Sequence, residues 1–170
     1  MQHVQLLLHD TLFLVWLKNS LLIGACVVVV TLALGLPAAY ALARMRFPGN
    51  RALSTAMFLS YLIPPALLFL PLSQLVRGIG FGDSIWSLVI VYPSFTLPFC
   101  TWLLMGFVRT VPHEIEESAQ LDGCTRFQTF RMIVLPVIVP GIITAGIFTL
   151  RSATVSLSLA LTFGAVREKA

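Results

Sequence analysis

The sequence predicts an all-α, polytopic membrane protein, a bundle of about four to five transmembrane helices. Hydrophobic residues make up 58% of the chain and charged residues only 11%, whereas a soluble globular domain carries about 25% charged residues. The mean hydropathy is +0.92. The net charge of +4 comes from basic residues that sit in short clusters between long apolar runs, which is typical of membrane proteins with basic loops. This composition argues against a water-soluble domain and, despite the high isoelectric point, against a nucleic-acid-binding module.

The first apolar run, residues 16–43, predicts one membrane-spanning helix. Such a helix needs about 20 mostly apolar residues, and this run carries no charge beyond Lys18 near its start. The sequence Pro48-Gly49-Asn50 that follows it is a turn signal. Three arginines surround this turn and indicate a cytoplasmic loop: Arg44, Arg46 and Arg51.

Two further apolar runs, residues 52–76 and 85–108, predict two more spans. A glycine-rich loop, residues 77–84, separates them. Prolines in a membrane helix either make kinks that packing absorbs or mark interrupted helices that line a path. Both hypotheses stay open for the prolines of these runs, which are Pro64, Pro65, Pro71, Pro93 and Pro98.

The last apolar region, residues 133–166, is ambiguous as a span because Arg151 lies in its middle. A charged side chain at mid-membrane depth costs about 2.5–3.5 kcal/mol even on the most lenient insertion scales. We therefore expect that Arg151 faces a cavity or a partner, or else that this region is not an intact span.

The charge bias predicts that the loops at 44–51 and 109–131 face the cytoplasm. These two loops carry six arginines, whereas the interior loop on the other side carries only Arg77, and cytoplasmic loops are enriched in basic residues. The N-terminus would then lie outside.

A polar stretch, residues 109–132, carries the clearest local signals. Thr110 can cap a helix and Pro112 suits its first turn. Gly123 is predicted to end this helix, in the position that glycine usually takes after a helix. Thr125 and Gln128 then have the spacing of a capping box that starts a second helix.

The first of these helices is only about ten residues long, and isolated helices below about 12–15 residues are marginal in water. It therefore needs a surface to dock on. Ile115, Ser118 and Ala119 share one small, nearly flat face by helical spacing. The helix is either a protein-docking element or a solvated loop helix with an acidic face. Pro136 falls where the second helix would enter the membrane.

The spacing of this stretch resembles the EAA motif of ABC-transporter permeases. The family pattern is E-A-A, three residues, G, nine residues, and I-x-L-P, and the only departure from it here is Ser118 in place of alanine. The matching residues are Glu117-Ser118-Ala119, Gly123, and Ile133-x-Leu135-Pro136.

The resemblance covers residues 16–150, most of the chain. It is closest to carbohydrate-type permeases, including the second permease subunit of the maltose type. The segments that are similar to this subfamily are residues 16–21, 40–49, 97–102 and 107–112.

This resemblance implies a transmembrane subunit of an ATP-driven importer in a bacterial inner membrane, forming part of the path for a sugar or related solute. Residues 1–170 would be a single, partial permease domain of the six-helix importer fold, and the loop at 109–132 would hold the coupling helix that docks on a cytoplasmic ATPase. Gly123 would permit a sharp turn, Ala119 a close approach and Glu117 a polar anchor. The residues assigned to coupling are Glu116, Glu117, Ser118, Ala119, Leu121, Asp122, Gly123, Ile133, Leu135 and Pro136.

The partners implied by the resemblance are a dimer of ATPase subunits, a second homologous permease subunit, an external solute-binding protein and membrane lipid. We expect no catalytic residue, cofactor or metal in this chain, because ATP and magnesium would bind to the ATPase. Nucleic acid is not among the expected partners.

The chain departs from the family in its number of spans. Family members usually have six, whereas this sequence supplies three clear ones and an ambiguous fourth, and Trp16 already resembles the start of the second family helix. The expectation is a permease truncated at both ends. The alternatives are a non-transporting permease fragment and an unrelated small channel or membrane scaffold. The solute stays open, since Tyr61, Tyr92 and Trp102 are more often packing residues or interfacial anchors than path residues.

Overall fold

The computed structural model describes residues 13–45, 47–63 and 85–167. The regular elements in these ranges are all helical, which confirms the all-α fold class. Most of the second predicted span, with Pro64, Pro65 and Pro71, and the loop at 77–84 lie outside the described residues. The helices are α1 (Phe13–Arg44), α2 (Asn50–Tyr61), α3 (Ile85–Thr110), α4 (His113–Leu121), α5 (Arg126–Thr129), α6 (Leu135–Val137) and α7 (Val139–Arg167), with a π-helical segment (Phe130–Val134) between α5 and α6.

Two of the described helices are long and apolar enough to cross a membrane. They contain the stretches Ser20–Arg44 in α1 and Val91–Thr110 in α3. A third crossing results if the bent pair Arg126–Val137 and Val139–Thr154 forms one span. The prolines inside α1 and α3 end neither helix, which favours kinks absorbed by packing over interruptions; they are Pro37, Pro93 and Pro98.

The bend of 76° in this pair has its cause in two prolines, Pro136 and Pro140. A proline lacks the backbone N–H, and its ring clashes with the carbonyl four residues earlier. The π-helical segment directly before Pro136 widens the helix, with the Leu135 N–H donating to the carbonyl of Phe130. Pro140 in turn has no N–H for the carbonyl of Pro136, and the helix breaks between the two prolines, at Ile138.

The core of the bundle lies where α1 packs along α3 and both contact α7. Val27, Leu104 and Ala145 are completely buried there. The interior also contains a polar contact between helices, since the hydroxyl oxygens of Thr31 in α1 and Thr96 in α3 lie 3.0 Å apart in a buried hydrogen bond. Such a bond ties neighbouring membrane helices to one register.

The α1–α2 turn is closed by Asn50. Its side-chain amide donates to the carbonyls of Leu42, at 3.1 Å, and of Met45, at 2.7 Å, which lie at the C-terminal end of α1, where carbonyls lack partners within the helix. Gly49 has a φ of 90°, a left-handed conformation that glycine adopts without steric cost. The predicted turn is therefore confirmed, and α2 then packs against α3.

Gly141 in α7 allows the close approach of Phe107 in α3. A Cβ atom at position 141 would lie 2.5 Å from Cγ of the Phe107 ring, so Gly141→Ala forces a shift in the core. We expect this variant to lose about 1–3 kcal/mol of stability, measured by thermal unfolding in detergent. Gly106→Ala, at a helical position with open space around it, is the matched control. Equal melting temperatures of the two variants would contradict this account.

Candidate functional site

The polar loop folds into the short helix α4, next to the end of α3. Two residues of α4 are buried, Glu116 and Ala119, and Glu116 is only 3% exposed. A charged side chain buried this deeply requires a partner of opposite charge and hydrogen bonds to both of its oxygens.

The partner of Glu116 is Arg44, the last residue of α1. Arg44 Nε donates to Glu116 Oε1 at 2.6 Å, and Nη2 lies 2.6 Å from the same oxygen. The two side chains are 6% and 4% exposed. Tyr40, one turn earlier on α1, donates its hydroxyl to Glu116 Oε2 at 3.0 Å. Both carboxylate oxygens are therefore bound by α1.

Arg44 also binds the end of α3 and the start of α4. Its Nη2 donates to the carbonyls of Val108, at 3.0 Å, and of Val111, at 2.5 Å, and its Nη1 donates to Nε2 of His113 at 3.1 Å. The last carbonyls of a helix lack partners within it and favour a cation, so Arg44 caps α3. One side chain thus joins α1, α3 and α4. We call this group the Arg44 cluster: Tyr40, Arg44, His113 and Glu116.

The Arg44 cluster rests on an apolar layer that includes the second half of the loop. The rings of Tyr40 and Phe130 have centroids 4.8 Å apart. Tyr40 and Phe130 belong to one buried group together with Val108, Val111, Val134 and Ile138. The layer anchors both ends of the loop to the spans. It also confirms that the two arginine-rich loops lie at the same end of the bundle.

The end of α4 is formed by Gly123, as predicted. Gly123 has a φ of 92°, its N–H donates to the carbonyl of Gln120 at 3.1 Å, and the N–H of Cys124 donates to the carbonyl of Ala119 at 3.0 Å. These two bonds define a Schellman motif, which satisfies carbonyls that the helix leaves free.

The start of α5 is the predicted capping box. The Thr125 hydroxyl accepts from the Gln128 N–H at 3.3 Å, and the Thr125 N–H donates to Oε1 of Gln128 at 2.8 Å. These reciprocal bonds satisfy two donors that the helix itself cannot. The two turn signals on either side of Cys124 therefore give the sharp connection from α4 to α5.

Two predictions about α4 were wrong. Thr110 does not cap it, because its hydroxyl donates to the carbonyl of Phe107 within α3, and Pro112 occupies the N-cap position without a side-chain bond. The predicted common face of Ile115, Ser118 and Ala119 is also divided. Ala119 is buried against the chain itself, while Ile115 is 47% exposed and Ser118 is exposed. The burial of Glu116 sets this rotation.

The side of α4 that points away from the bundle combines charge with one large apolar residue. Leu121 is 88% exposed, and Phe127 on the neighbouring α5 is 70% exposed. At about 100° per residue, four exposed residues lie opposite the buried pair, and we call them the outer face: Glu114, Glu117, Ser118 and Leu121.

The remaining predicted residues lie along the connection to α7. Asp122 is exposed at the C-cap of α4. Ile133 is half-buried in the π-helical segment, Leu135 packs against the buried apolar layer, and Pro136 is exposed beside the bend. Sequence reasoning missed Tyr40, Arg44 and His113. A usable signal existed for the first two, since a tyrosine and an arginine four residues apart lie on one helix face.

Comparisons with known proteins agree with one another. A family model described as binding-protein-dependent transport system inner membrane component matches residues 16–166. The diacetylchitobiose uptake system permease protein DasC of Streptomyces coelicolor is 38% identical over 149 residues, which are 88% of this chain and 54% of that protein. The trehalose transport system permease protein SugB of Mycobacterium tuberculosis is 38% identical over 151 residues, 89% of this chain and 55% of that protein.

A third relative is similar over a somewhat smaller part of the chain. The maltodextrin transport system permease protein MdxG of Bacillus subtilis is 32% identical over 140 residues, 82% of this chain and 50% of that protein. The chain therefore spans about half the length of the curated relatives that it matches.

Proposed function

The chain belongs to the family of binding-protein-dependent transport system inner membrane components, and from this premise we propose that it is a transmembrane subunit of an ATP-driven importer in a bacterial cell membrane. Three relatives are named for diacetylchitobiose, trehalose and maltodextrin, so we propose a di- or oligosaccharide as its solute. The proposal includes a dimer of ATPase subunits that bind ATP and magnesium, a second permease subunit and an external solute-binding protein.

The proposed coupling role is supported by the difference between the two sides of α4, of which one is buried against the spans and the other is exposed. Its inner side is held to the spans by Glu116 and Ala119, and this accounts for the stability of a helix of nine residues, which is too short to persist alone. Its inner contacts leave Leu121 at 88% exposure, and Phe127 on the neighbouring α5 is 70% exposed. Large apolar side chains grouped on an otherwise polar surface are typical of protein-binding sites. We propose that the outer face and Phe127 contact the ATPase.

The Arg44 cluster supports a route by which movement of the ATPase would reach the membrane spans. Because Arg44 binds α1, α3 and α4 together, a displacement of α4 by the ATPase is expected to displace the adjoining ends of both spans. Glu117 lies on the outer face, one residue after Glu116, and is available as the polar anchor towards the partner. The two adjacent glutamates would thus have different roles: Glu116 binds Arg44 within the chain, and Glu117 contacts the partner.

The test is ATP hydrolysis that co-purifies with the chain from native membranes in mild detergent. We expect the double variant Leu121→Ser, Phe127→Ser to lose co-purifying ATPase activity at least about tenfold, since anchor residues at interfaces contribute more than about 1–2 kcal/mol each. Gln120→Ser, exposed on the same helix, is the control and should retain the activity. Full activity in the double variant would rule out docking through this surface.

A measurement of solute uptake distinguishes docking of the ATPase from transport of the solute. In proteoliposomes that contain the purified complex and a binding protein, labelled di- or oligosaccharides should accumulate only with ATP. ATP hydrolysis that persists without any accumulation would overturn the sugar-import part and leave a subunit that docks an ATPase but forms no path.

A further inference from the structure

A groove with a basic lining opens beside the Arg44 cluster, between the end of α1, α2 and α3. Its volume is about 910 Å³. Among the described residues that line it there is no aspartate or glutamate. The basic side chains along it are Arg44, Arg51, Arg109 and His113.

Two of these charges are available to a ligand. The charge of Arg44 is balanced by Glu116. Within the part of the chain that the structure describes, Arg51 and Arg109 form no ion pair, and both are exposed. The N-terminus of α2 also borders the groove at Asn50, so its helix dipole adds partial positive charge. The mouth of the groove therefore favours an anion.

The inner part of the groove is apolar and aromatic. Phe58 lies seven residues after Arg51 on α2, and Trp102 lies seven residues before Arg109 on α3. Seven residues are two helical turns, about 10.5 Å, so each aromatic ring lies on the same helix face as an arginine and two turns further from the arginine-rich end of the helices. The two rings contact each other with centroids 4.9 Å apart, and they are 38% and 37% exposed.

Hydroxyl groups lie between these two zones. Ser54 and Thr55 line the groove on α2, between the arginine and the phenylalanine. Along α2 and α3 the lining therefore runs from arginines, past hydroxyl residues, to aromatic rings, while Met45 and Phe47 of the α1–α2 turn also line the arginine end. A glycerophospholipid has the same order of groups: phosphate, glycerol esters and acyl chains.

We propose that this groove binds an anionic glycerophospholipid of the cytoplasmic leaflet, with the headgroup phosphate between Arg51 and Arg109 and an acyl chain against Phe58 and Trp102. Basic pockets at the cytoplasmic ends of membrane helices suit such headgroups. The proposal uses the orientation predicted from the arginine-rich loops. It needs no contact with an ATPase, so failure of the coupling proposal would not contradict it.

Trp102 provides the reporter for the test. The chain has three tryptophans, and Trp16→Phe with Trp86→Phe leaves Trp102 alone. This protein is reconstituted into phosphatidylcholine vesicles that contain either dibrominated phosphatidylglycerol or dibrominated phosphatidylcholine at the same low mole fraction. We expect phosphatidylglycerol to quench Trp102 more strongly, because the groove enriches it.

Charge variants connect the preference to the groove. Arg51→Gln and Arg109→Gln are each expected to lower the relative affinity for phosphatidylglycerol about fivefold. Arg51→Lys and Arg109→Lys should retain most of the preference, which separates loss of charge from misfolding. The control is Arg131→Gln, an exposed arginine of the same predicted membrane side that does not line the groove.

Three results would overturn the proposal. Equal quenching by the two brominated lipids would show no selection. An equally large loss in Arg131→Gln would assign the preference to general surface charge. Abolition of the preference by inorganic phosphate, but not by chloride of the same ionic strength, would indicate a site for free phosphate instead of a lipid headgroup.

Discussion

Replacement of Glu116 by alanine is expected to destabilise the attachment of α4 to the bundle by about 3–5 kcal/mol, the usual cost of removing one partner of a buried ion pair. The variant leaves the Arg44 guanidinium buried without a counter-charge, since that side chain is 6% exposed. The carbonyls of Val108 and Val111 still accept its hydrogen bonds but carry no full charge. The Tyr40 hydroxyl loses its acceptor as well.

Amide hydrogen exchange in detergent measures this effect directly. Exchange in α4 should become roughly a hundredfold faster or more, because each 1.4 kcal/mol of lost local stability is about a factor of ten. Glu117→Ala is the matched control, since it removes an exposed carboxylate from the next position of the same helix. Similar exchange rates in the two variants would show that the ion pair does not hold α4.

A compensating pair of substitutions tests the cause. Replacing both Arg44 by methionine and Glu116 by leucine removes the charges together, and apolar replacements of a whole buried ion pair are often neutral. We expect the double variant to recover part of the protection that Glu116→Ala loses. The double variant also removes the hydrogen bonds from Arg44 to the carbonyls of Val108 and Val111, so failure to recover any protection would show that these bonds hold α4 together with the ion pair.

Gly123→Pro is expected to disrupt the end of α4 at a cost of about 3 kcal/mol or more. Proline fixes φ near −65°, whereas Gly123 has a φ of 92°. The substitution also removes the N–H that donates to Gln120 and disfavours the helical conformation of the preceding residue. We expect both fast exchange in α4 and, if the coupling proposal holds, loss of co-purifying ATPase activity.

A graded series at position 123 separates backbone strain from other effects. Gly123→Ala should cost about 1–2 kcal/mol of stability, because the alanine Cβ is strained in the left-handed conformation. The backbone N–H is kept in this variant. Gly123→Asn should cost less, since asparagine tolerates this conformation better than other residues with a side chain. No neighbouring atom lies within 4 Å of a Cβ at this position, so crowding does not contribute. Equal losses for all three variants would contradict the backbone explanation.

The features that could be predicted from sequence are those set by neighbouring residues. Gly123 and the Thr125–Gln128 capping box act over a few residues, and each is confirmed where it was expected. The all-α fold follows from the long apolar runs in the same way. The bend at Ile138 was not predicted, because Pro136 was placed where the second helix enters the membrane and its joint effect with Pro140 was not considered.

The features that were missed depend on contacts between distant parts of the chain. Arg44 and Glu116 are separated by 72 residues, so no local pattern connects them. Arg44 was assigned to a basic cytoplasmic loop from its neighbours, and Glu116 was assigned to the coupling residues from the family resemblance. Ala119 was placed on a docking face for the same reason, since the pairing that turns it inward was unknown.

The buried Thr31–Thr96 hydrogen bond limits how α1 and α3 can move. A slip of one helical turn is about 5.4 Å and would deprive the Thr31 hydroxyl of its partner on the other helix, in surroundings where an unsatisfied polar group is costly. Arg44 ties the same two helices at their ends, so we expect α1 and α3 to move together. Any rotation of these two helices relative to α7 is then expected to change the 76° bend at Ile138 instead of sliding the spans past each other.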